Sequence, residues 1–448
     1  MKKRDTLFIG FMLFSMFFGA GNLIFPPMLG AQAGTSFWPA IIGFITTGVG
    51  LPFAVLFAIS LVEGGIRTIG SRVHPKFATI FIVLVYLCIG PLLAIPRNAT
   101  VAFEMAAAPF IKNPAHMTLG LGIFTFVFFT LVFLIALKPE KMDKYMGRWM
   151  APALLGVMII LCVVALTHLG APTQAPDQAY SSGAYFAGFL DGYNTMDALA
   201  ALAFGIVILT AIQDKGVESK KQLRINMILA SLVAGVLLSF VYIFLGMSGA
   251  RMGAAGEFAA GTSLLSAMAQ TLFGPAGKII LGLMFLMACL TSVAGLVSAC
   301  GQYFSKLISW ASHKQVAFGV SLIGFLLANM GLAQILKVSV PFLVTAYPIT
   351  IMLVVLTFCS GLFRNMRIAY ATTILFTGVF ALLGGLHAAG LNLGIFDTIR
   401  EAMPLSSYGL EWVLPGLIGL AAGAIFGLMI PREMEEHTAE RVSAEDAV

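Results

Sequence analysis

The residues best suited to hold a small solute and an ion form a cluster inside the first apolar stretch of the chain. The cluster reads FFGAGNLIFPP, from Phe17 to Pro27, and lies just past the middle of that stretch. Glycine and proline interrupt a membrane helix only where protein or a water-filled cavity satisfies the freed backbone groups. Unwinding there would expose carbonyl oxygens that suit a cation and amide groups that suit a carboxylate. A glycine-rich packing face with a proline kink is the alternative.

Two aspartates interrupt a later apolar stretch, between Phe189 and Gly205. Asp191 and Asp197 stand there with Asn194 among small residues. An ionised aspartate at the middle of a bilayer costs about 2.5 to 3.5 kcal/mol unless it is paired. Asp197 therefore needs a partner or a proton, and the two interruptions together predict a site where their helices meet. The alternative is that both aspartates lie in a water-filled vestibule at the outer end of the helix.

Ala288, Thr291 and Ser292 are three and four residues apart, so they share one helix face. A backbone carbonyl and two hydroxyl oxygens are neutral, hard ligands of the kind that suits Na⁺. With carbonyls from the first interruption they would complete a cation site. The alternative is that both hydroxyls bond the carbonyls of their own helix.

Arg97 and Glu104 lie in the third apolar stretch. If that helix begins near Phe77 at the inner face, Arg97 lies about 30 Å along it at a rise of 1.5 Å per residue. We therefore expect Arg97 close to the outer surface, as a gate or a snorkelling side chain rather than a substrate contact. Glu104 shares its face but lies too far along for a simple ion pair.

The elements that hold these residues are membrane-spanning helices. Of the 448 residues, 59% are hydrophobic and only 10% are charged, with a mean hydropathy of +0.96, which leaves too few charges to cover a water-exposed surface. A bilayer core is crossed by about 20 apolar helical residues. We predict an all-α integral membrane protein with twelve spans. They lie near 7–29, 38–62, 77–108, 118–137, 148–168, 185–211, 223–247, 275–303, 315–328, 338–360, 366–388 and 410–430.

Charges in the connections set the orientation, because Lys and Arg are held on the cytoplasmic side during insertion. Most of the 26 Lys and Arg residues fall in every second connection. These connections are 2–4, 67–76, 138–148, 215–224, 306–314, 364–367 and 432–441. Both termini are therefore predicted to be cytoplasmic. Positive charges spread so thinly do not form a nucleic-acid site.

Other classes of function find little support in the residues. The five cysteines all fall inside predicted spans, and cysteine and histidine spacing suits neither zinc nor haem. No nucleophile elbow, phosphate loop or dinucleotide fingerprint is present, so we expect neither an enzyme nor an organic cofactor. A channel is disfavoured because the sequence has no repeated charged ring or carbonyl filter motif.

Four motifs carry a resemblance that covers essentially the whole chain. They are FGAGNLIFPP at 18–27, GPLLAIPRNAT at 90–100, DGYNTMDALAALAFG at 191–205 and LTSVAGLVSACGQY at 290–303. In this order they resemble the bacterial branched-chain amino acid:cation symporter family. That family is similar to transporters with the leucine-transporter-type fold. The resemblance implies two inverted repeats of five helices with broken first and sixth helices, plus two C-terminal helices.

The resemblance also implies binding residues around the first break. The Gly21-Asn22 pair is similar to the Gly-Asn pair of sodium-coupled leucine transporters. On that alignment Ala20 and Gly21 bind the substrate carboxylate, and Asn22 contacts an additional Na⁺. The main implied Na⁺ site is formed by Ser15, Phe18, Ala288, Thr291 and Ser292.

In the sixth span the resemblance is aligned through Phe204, which becomes a wall of the apolar side-chain pocket. Here the chain departs from the pattern, because Leu199 and Ala201 replace the small hydroxyl residues expected at the break. Asn194, Asp197 and Ala201 complete the predicted substrate site.

These observations predict a symporter that imports leucine, isoleucine and valine with a cation. Concentrating a neutral zwitterion 100-fold costs about 2.8 kcal/mol, and membrane voltage cannot act on it directly. One monovalent cation descending 100 mV releases about 2.3 kcal/mol. We expect Na⁺ as the coupling ion. The alternative is a proton-coupled carrier of other neutral amino acids that titrates Asp197 or Glu104.

The predicted organisation is a ten-helix core over 1–360, with repeats at 7–168 and 185–360. Two additional helices follow over 361–430, and a cytoplasmic tail over 431–448. We expect the protein in the bacterial inner membrane, with the lipid bilayer and small-molecule substrates as its partners. No obligatory protein partner is predicted.

Overall fold

The computed structural model describes residues 3–62 and 64–429, and every regular element in those residues is helical. The all-α prediction is therefore confirmed for the described part of the chain. Lys2 and the predicted tail at 431–448 lie outside it, so the tail stays a prediction.

The helices coincide with the apolar stretches, as expected where each backbone amide needs a partner within its own segment. Short π-helical segments at Thr46–Gly50, Cys88–Leu92 and Asp143–Met150 continue three of them. The α-helices are α1 (Lys3–Phe17), α2 (Ala20–Ala33), α3 (Phe37–Ile45), α4 (Leu51–Leu61), α5 (Ile66–Ser71), α6 (Pro75–Leu87), α7 (Ala94–Ala106), α8 (Met117–Ala136), α9 (Ala151–His168), α10 (Gln178–Ser181), α11 (Ala184–Asp191), α12 (Asp197–Gln213), α13 (Lys220–Gly253), α14 (Gly261–Phe273), α15 (Pro275–Leu307), α16 (His313–Ala328), α17 (Leu332–Phe358), α18 (Met366–Ala388), α19 (Ile395–Glu401) and α20 (Val413–Met429).

A helix lies at each of the twelve predicted spans, but not every one has the length of a span. In the described residues, eight helical stretches are long and apolar enough to cross a membrane, or nine if the bent pair α11 and α12 counts as one span. One of the eight runs from Ala20 to Leu61, through the two regions predicted as separate spans. Helices α16 and α20 are apolar but shorter. The count of twelve stays a prediction.

The first predicted interruption is present and short. Helix α1 ends at Phe17, and Gly19 caps α2 in an extended conformation with φ −107° and ψ −162°. The amide of Gly19 donates to the carbonyl of Phe17 at 2.8 Å. Pro26 and Pro27, which the sequence suggested as part of the break, lie inside α2. The unwound region is therefore confined to two residues.

The second interruption separates α11 from α12. A 3₁₀ turn covers Gly192–Thr195, and Met196 adopts a left-handed conformation with φ 65° and ψ 11°. This conformation is uncommon for a residue other than glycine and is maintained only where its surroundings fix it. The two helices are bent by 43°. Asp197 is the first residue of α12.

A third interruption, which the sequence did not predict, divides α6 from α7. The π-helical segment Cys88–Leu92 contains Gly90 in a non-helical conformation with φ −86° and ψ −124°. Pro91 follows it and has no amide hydrogen to give to a helix. The chain therefore changes direction before α7 begins at Ala94.

The described residues divide into two compact units. One contains the chain up to Ser60 together with Leu84–Val340, and it includes all three interruptions. Within it α2 packs on α13, and α7 packs on α15. Added β-carbons at Gly30 and Gly249 would come within 1.9 Å of a carbonyl oxygen of the opposite helix, so small residues allow α2 and α13 to approach closely.

The second unit contains Leu61–Val83 and the chain from Pro341 onward, and in it α18 packs against α20. A charged cluster lies in the connection between these helices. Nη1 of Arg400 lies 3.4 Å from Oε1 of Glu411, whose side chain is 5% exposed. Asp397 lies 3.9 Å from Nε of Arg400 and accepts a 3.0 Å contact from His387. Arg400 therefore supplies positive charge beside a buried carboxylate.

We expect Arg400→Gln to lower the free energy of unfolding by about 3 kcal/mol, because it leaves the buried Glu411 carboxylate without its cation. The melting temperature of the purified protein in detergent measures the effect. Glu401→Gln is the matched control, since Glu401 is 67% exposed and 3.7 Å from Nη2 of Arg400. An exposed pair contributes at most about 1 kcal/mol. Equal melting temperatures for the two variants would contradict the prediction.

Candidate functional site

All three helix interruptions border one narrow cavity in the first unit. Gly19 belongs to the first break and Met196 to the second. Ala94, the first residue of α7, follows the third break. Ser292 and Leu296 of α15 also line it. The other lining residues are Met16, Phe17, Gly21, Asn22, Ile89, Arg97, Asn98, Thr195, Asp197, Ala200 and Phe204. A cavity therefore lies where the two interrupted helices meet, and its role as the predicted site stays a prediction.

Asp197 is the centre of a buried hydrogen-bond network beside this cavity. Its side chain is 2% exposed, and Oδ2 accepts from Nδ2 of Asn22 at 2.5 Å and from the Tyr242 hydroxyl at 3.0 Å. Nδ2 of Asn22 also donates to the Tyr242 hydroxyl. Because Asp197 begins α12, the helix dipole favours its negative charge. Such burial does not fit the alternative of a water-filled vestibule for Asp197.

The first amides of α2 already have side-chain partners. The amide of Gly19 donates to Oδ1 of Asn22 at 3.2 Å, and the amide of Ala20 donates to Oδ1 of Asn98 at 2.7 Å. Asn98 is fixed in turn by its donation to the Ala94 carbonyl at 2.8 Å. Carboxylate binding by Ala20 and Gly21 stays a prediction. Asn98 was not predicted as a site residue, although it lies in the GPLLAIPRNAT motif.

Arg97 is buried at the cavity, so the expectation that its side chain snorkels to the outer surface was wrong. Its side chain is 2% exposed and lines the cavity. Nη1 donates to the backbone carbonyl of Asn194 at 2.9 Å, and the guanidinium carbon lies 5.9 Å from the centre of the Phe25 ring. The expectation assumed one straight helix from Phe77, whereas a kink at Gly90 interrupts that helix before Arg97.

The break in the sixth span lies earlier than the alignment through Phe204 implied. The chain unwinds at Thr195 and Met196, whereas Leu199 and Ala201 lie within α12. Thr195 therefore provides a hydroxyl residue at the break, which the sequence comparison had placed at Leu199 and Ala201. Both of these residues are buried, and neither of them lines the cavity.

Phe204 and Ala201 were predicted for the substrate pocket, and that role stays a prediction. Phe204 lines the cavity, and its ring packs edge-on against Phe17 with 5.1 Å between the ring centres. Ala200 lines the cavity in place of its neighbour Ala201. Asn194 contributes the backbone carbonyl that Arg97 contacts, and its side chain is not among the lining groups.

Oxygen atoms from α1 and α15 converge on the predicted cation site. Oγ1 of Thr291 lies 2.9 Å from the carbonyl oxygen of Ser15, 3.1 Å from that of Met287 and 3.0 Å from that of Ala288. The contacts to Met287 and Ala288 are bonds to carbonyls of the same helix, which the alternative interpretation predicted. The contact to Ser15 crosses to the last turn of α1. The site thus joins the two helices whose oxygens the sequence had grouped.

Ser292 and Phe18 are the remaining residues of the predicted cation site. Oγ of Ser292 lies 2.9 Å from the position that a β-carbon on Gly19 would occupy, so it faces the first break. Phe18 lies at that break and stacks on Phe14 with 5.2 Å between ring centres. Neutral carbonyl and hydroxyl oxygens are the donors that a hard monovalent cation requires. The donor set fits Na⁺, and cation binding there stays a prediction.

Comparisons with known proteins agree with these features. A family model described as branched-chain amino acid transport protein matches residues 2–429. The branched-chain amino acid permease BraB of Bacillus subtilis (strain 168) is 43% identical over 429 residues, which cover 95% of this chain and 96% of the relative. The permease BrnQ of the same organism is 40% identical over 94% of this chain and 96% of its own. The branched-chain amino acid transport system 2 carrier protein of Pseudomonas aeruginosa is 37% identical over 97% of this chain and 99% of its own.

Two solved structures share the fold. Mhp1, a nucleobase-cation-symport-1 family transporter in a closed conformation with bromovinylhydantoin bound, gives a TM-score of 0.57 at 14% identity and covers 95% of this chain and 94% of its own. MhsT in complex with L-phenylalanine gives a TM-score of 0.51 at 18% identity and covers 93% of this chain and 97% of its own. The chain is therefore a multi-pass membrane transporter rather than an enzyme, and it belongs to the family of branched-chain amino acid transport proteins.

Proposed function

We propose that the protein is a secondary active symporter that imports leucine, isoleucine and valine together with Na⁺ by alternating access. The names of its relatives support the substrate class, since BraB and BrnQ are branched-chain amino acid permeases. The apolar part of the cavity wall supports it too. Phe17, Ile89 and Phe204 present hydrocarbon and ring surface suited to an aliphatic side chain.

The observation that supports Na⁺ as the coupling ion is the convergence of oxygen atoms at Thr291. Carbonyls of Ser15 and Ala288 lie within 3.0 Å of its hydroxyl, beside a cavity that Ser292 lines. A cation held there would join α1 to α15 next to the solute. Its presence would therefore favour one arrangement of these helices and not another, which is the requirement for coupling.

We propose that Asn22 lines the substrate site and does not bind an additional Na⁺. Its amide oxygen accepts from Gly19, and its amide nitrogen donates to Asp197. Both polar ends of the side chain thus have protein partners. We propose Ala20, Gly21, Asn194 and Asp197 as the polar surroundings of the substrate head group.

The orientation and repeat arrangement belong to the same proposal. The alternation of basic connections supports a bacterial inner-membrane location with both termini in the cytoplasm. The positions of the breaks, in α1–α2 and α11–α12, support inverted repeats over 7–168 and 185–360 followed by two further helices over 361–430.

A proton-coupled transporter of other neutral amino acids is the second candidate. Asp197 favours it, because a buried carboxyl at the cavity wall can bind and release a proton as its surroundings change. Glu104, the other acidic residue considered for this role, does not line the cavity.

Reconstituted protein is expected to accumulate radiolabelled leucine in proteoliposomes when Na⁺ is high outside, and to lose that accumulation when choline replaces Na⁺. One cation crossing 100 mV supplies about 2.3 kcal/mol, so voltage added to a modest Na⁺ gradient sustains about 100-fold accumulation. Accumulation driven by external acid without Na⁺ would instead identify the proton-coupled carrier. Uptake indifferent to both gradients would contradict symport.

Thr291→Ala is expected to raise the Na⁺ concentration for half-maximal leucine uptake about tenfold, because one oxygen ligand to a charged group is lost. Folded protein level should be unchanged. Thr130→Ala is the matched control, since the Thr130 hydroxyl donates at 2.8 Å to Phe126 of its own helix. Loss of folded protein at an unchanged Na⁺ requirement would indicate a packing role for Thr291.

A further inference from the structure

We propose that Arg97 binds the α-carboxylate of the substrate and makes that group a requirement for recognition. This inference rests on the proposed function, which supplies a zwitterionic amino acid as the solute. It assigns the carboxylate to a side chain of α7, in addition to the backbone amides at the start of α2.

The third interruption brings Arg97 to the cavity. Helix α7 begins at Ala94, so Arg97 lies in its first turn, directly after the change of direction. A β-carbon added to Gly21 would come within 2.9 Å of Nη2, which places the guanidinium over the start of α2. Nη1 contacts the Asn194 carbonyl at the second break. One arginine thus spans the two breaks between which the solute is proposed to lie.

The charges of the cavity are complementary to a zwitterion. Among the residues that line it, Arg97 is the basic residue and Asp197 is the acidic one, and the others are neutral. Both side chains are 2% exposed. An amino acid bound there presents an ammonium group for Asp197 and a carboxylate for Arg97. The planar guanidinium is suited to a carboxylate because it can donate two parallel hydrogen bonds.

Donors at the start of α2 are already in use. The amides of Gly19 and Ala20 donate to Asn22 and Asn98, both at 3.2 Å or less. The helix dipole still attracts an anion at this end, but fewer free amide hydrogens remain for it. The Arg97 guanidinium, adjacent to Gly21, supplies hydrogen-bond donors at this same N-terminal end of α2.

A structural role is the competing explanation, because Nη1 of Arg97 also holds the Asn194 carbonyl. The two roles differ in what they predict for ligands. Leucinamide matches leucine in shape but has an amide in place of the carboxylate. Loss of a carboxylate contact weakens leucine and not leucinamide, whereas a misplaced break weakens both.

The experiment measures the affinity of purified protein for leucine and for leucinamide separately, from ligand-dependent shifts in melting temperature at saturating Na⁺. Wild type is expected to prefer leucine by about 10- to 100-fold, the range for a hydrogen-bonded charged pair. Arg97→Gln should weaken leucine by that factor and change leucinamide by less than about threefold. Arg97→Lys should recover part of the preference, since it keeps the charge but loses the fork.

Arg251→Gln is the matched control. Arg251 donates to the carbonyls of Leu166 and Leu169 and does not line the cavity, so its removal should leave the preference unchanged. Equal weakening of both ligands in the Arg97 variants, or an unchanged leucine affinity, would overturn the proposal. If Arg97→Gln does not fold, a wild-type protein without preference for leucine over leucinamide would also overturn it. Failure of wild type to bind either ligand would count against the proposed function itself.

Discussion

The structure depends on one constraint, the need of every backbone amide and carbonyl within a bilayer for a hydrogen-bond partner. The interruptions free such groups, and three of them are met by side chains from elsewhere in the sequence. Asn98 accepts from the amide of Ala20, Arg97 donates to the carbonyl of Asn194, and Thr291 donates to the carbonyl of Ser15. The polar residues of the cavity are therefore first of all the partners of broken backbone.

This double role connects the site to helix movement. The contacts run between separate helices, from α7 to α2, from α15 to α1, and from α2 through Asp197 of α12 to Tyr242 of α13. Separating these helices inside the membrane without replacement partners would leave buried polar groups unsatisfied, at about 1 to 3 kcal/mol each. A carboxylate, an ammonium group or a cation can replace some of those partners. A ligand that does so changes the relative free energy of the two arrangements.

The sequence predicted the fold class and two of the three breaks because Gly, Asn and Asp stand out in apolar stretches. It could not locate the second break to the residue, since alignment through Phe204 placed it after Met196. It missed the third, although Gly90-Pro91 was a visible signal, and the position of Arg97 was predicted from a straight helix. The side chains that bond the freed backbone groups were harder still to predict. Asn98 and Ala20 are 78 residues apart, and nothing in the sequence alone pairs them.

The charge count of the cavity bears on where voltage acts. Arg97 and Asp197 cancel, and a zwitterion adds no net charge, so under the proposed mechanism the loaded site carries only the charge of its cation. The empty site carries none. Membrane potential would then drive the inward step with substrate bound, at about 2.3 kcal/mol per 100 mV, and leave the return step unaffected. A proton on Asp197 would give the same total charge, but it would remove the negative charge that faces the substrate ammonium group. The neutral oxygens around Thr291 let Na⁺ supply the same total charge without disturbing the balance of the head-group site.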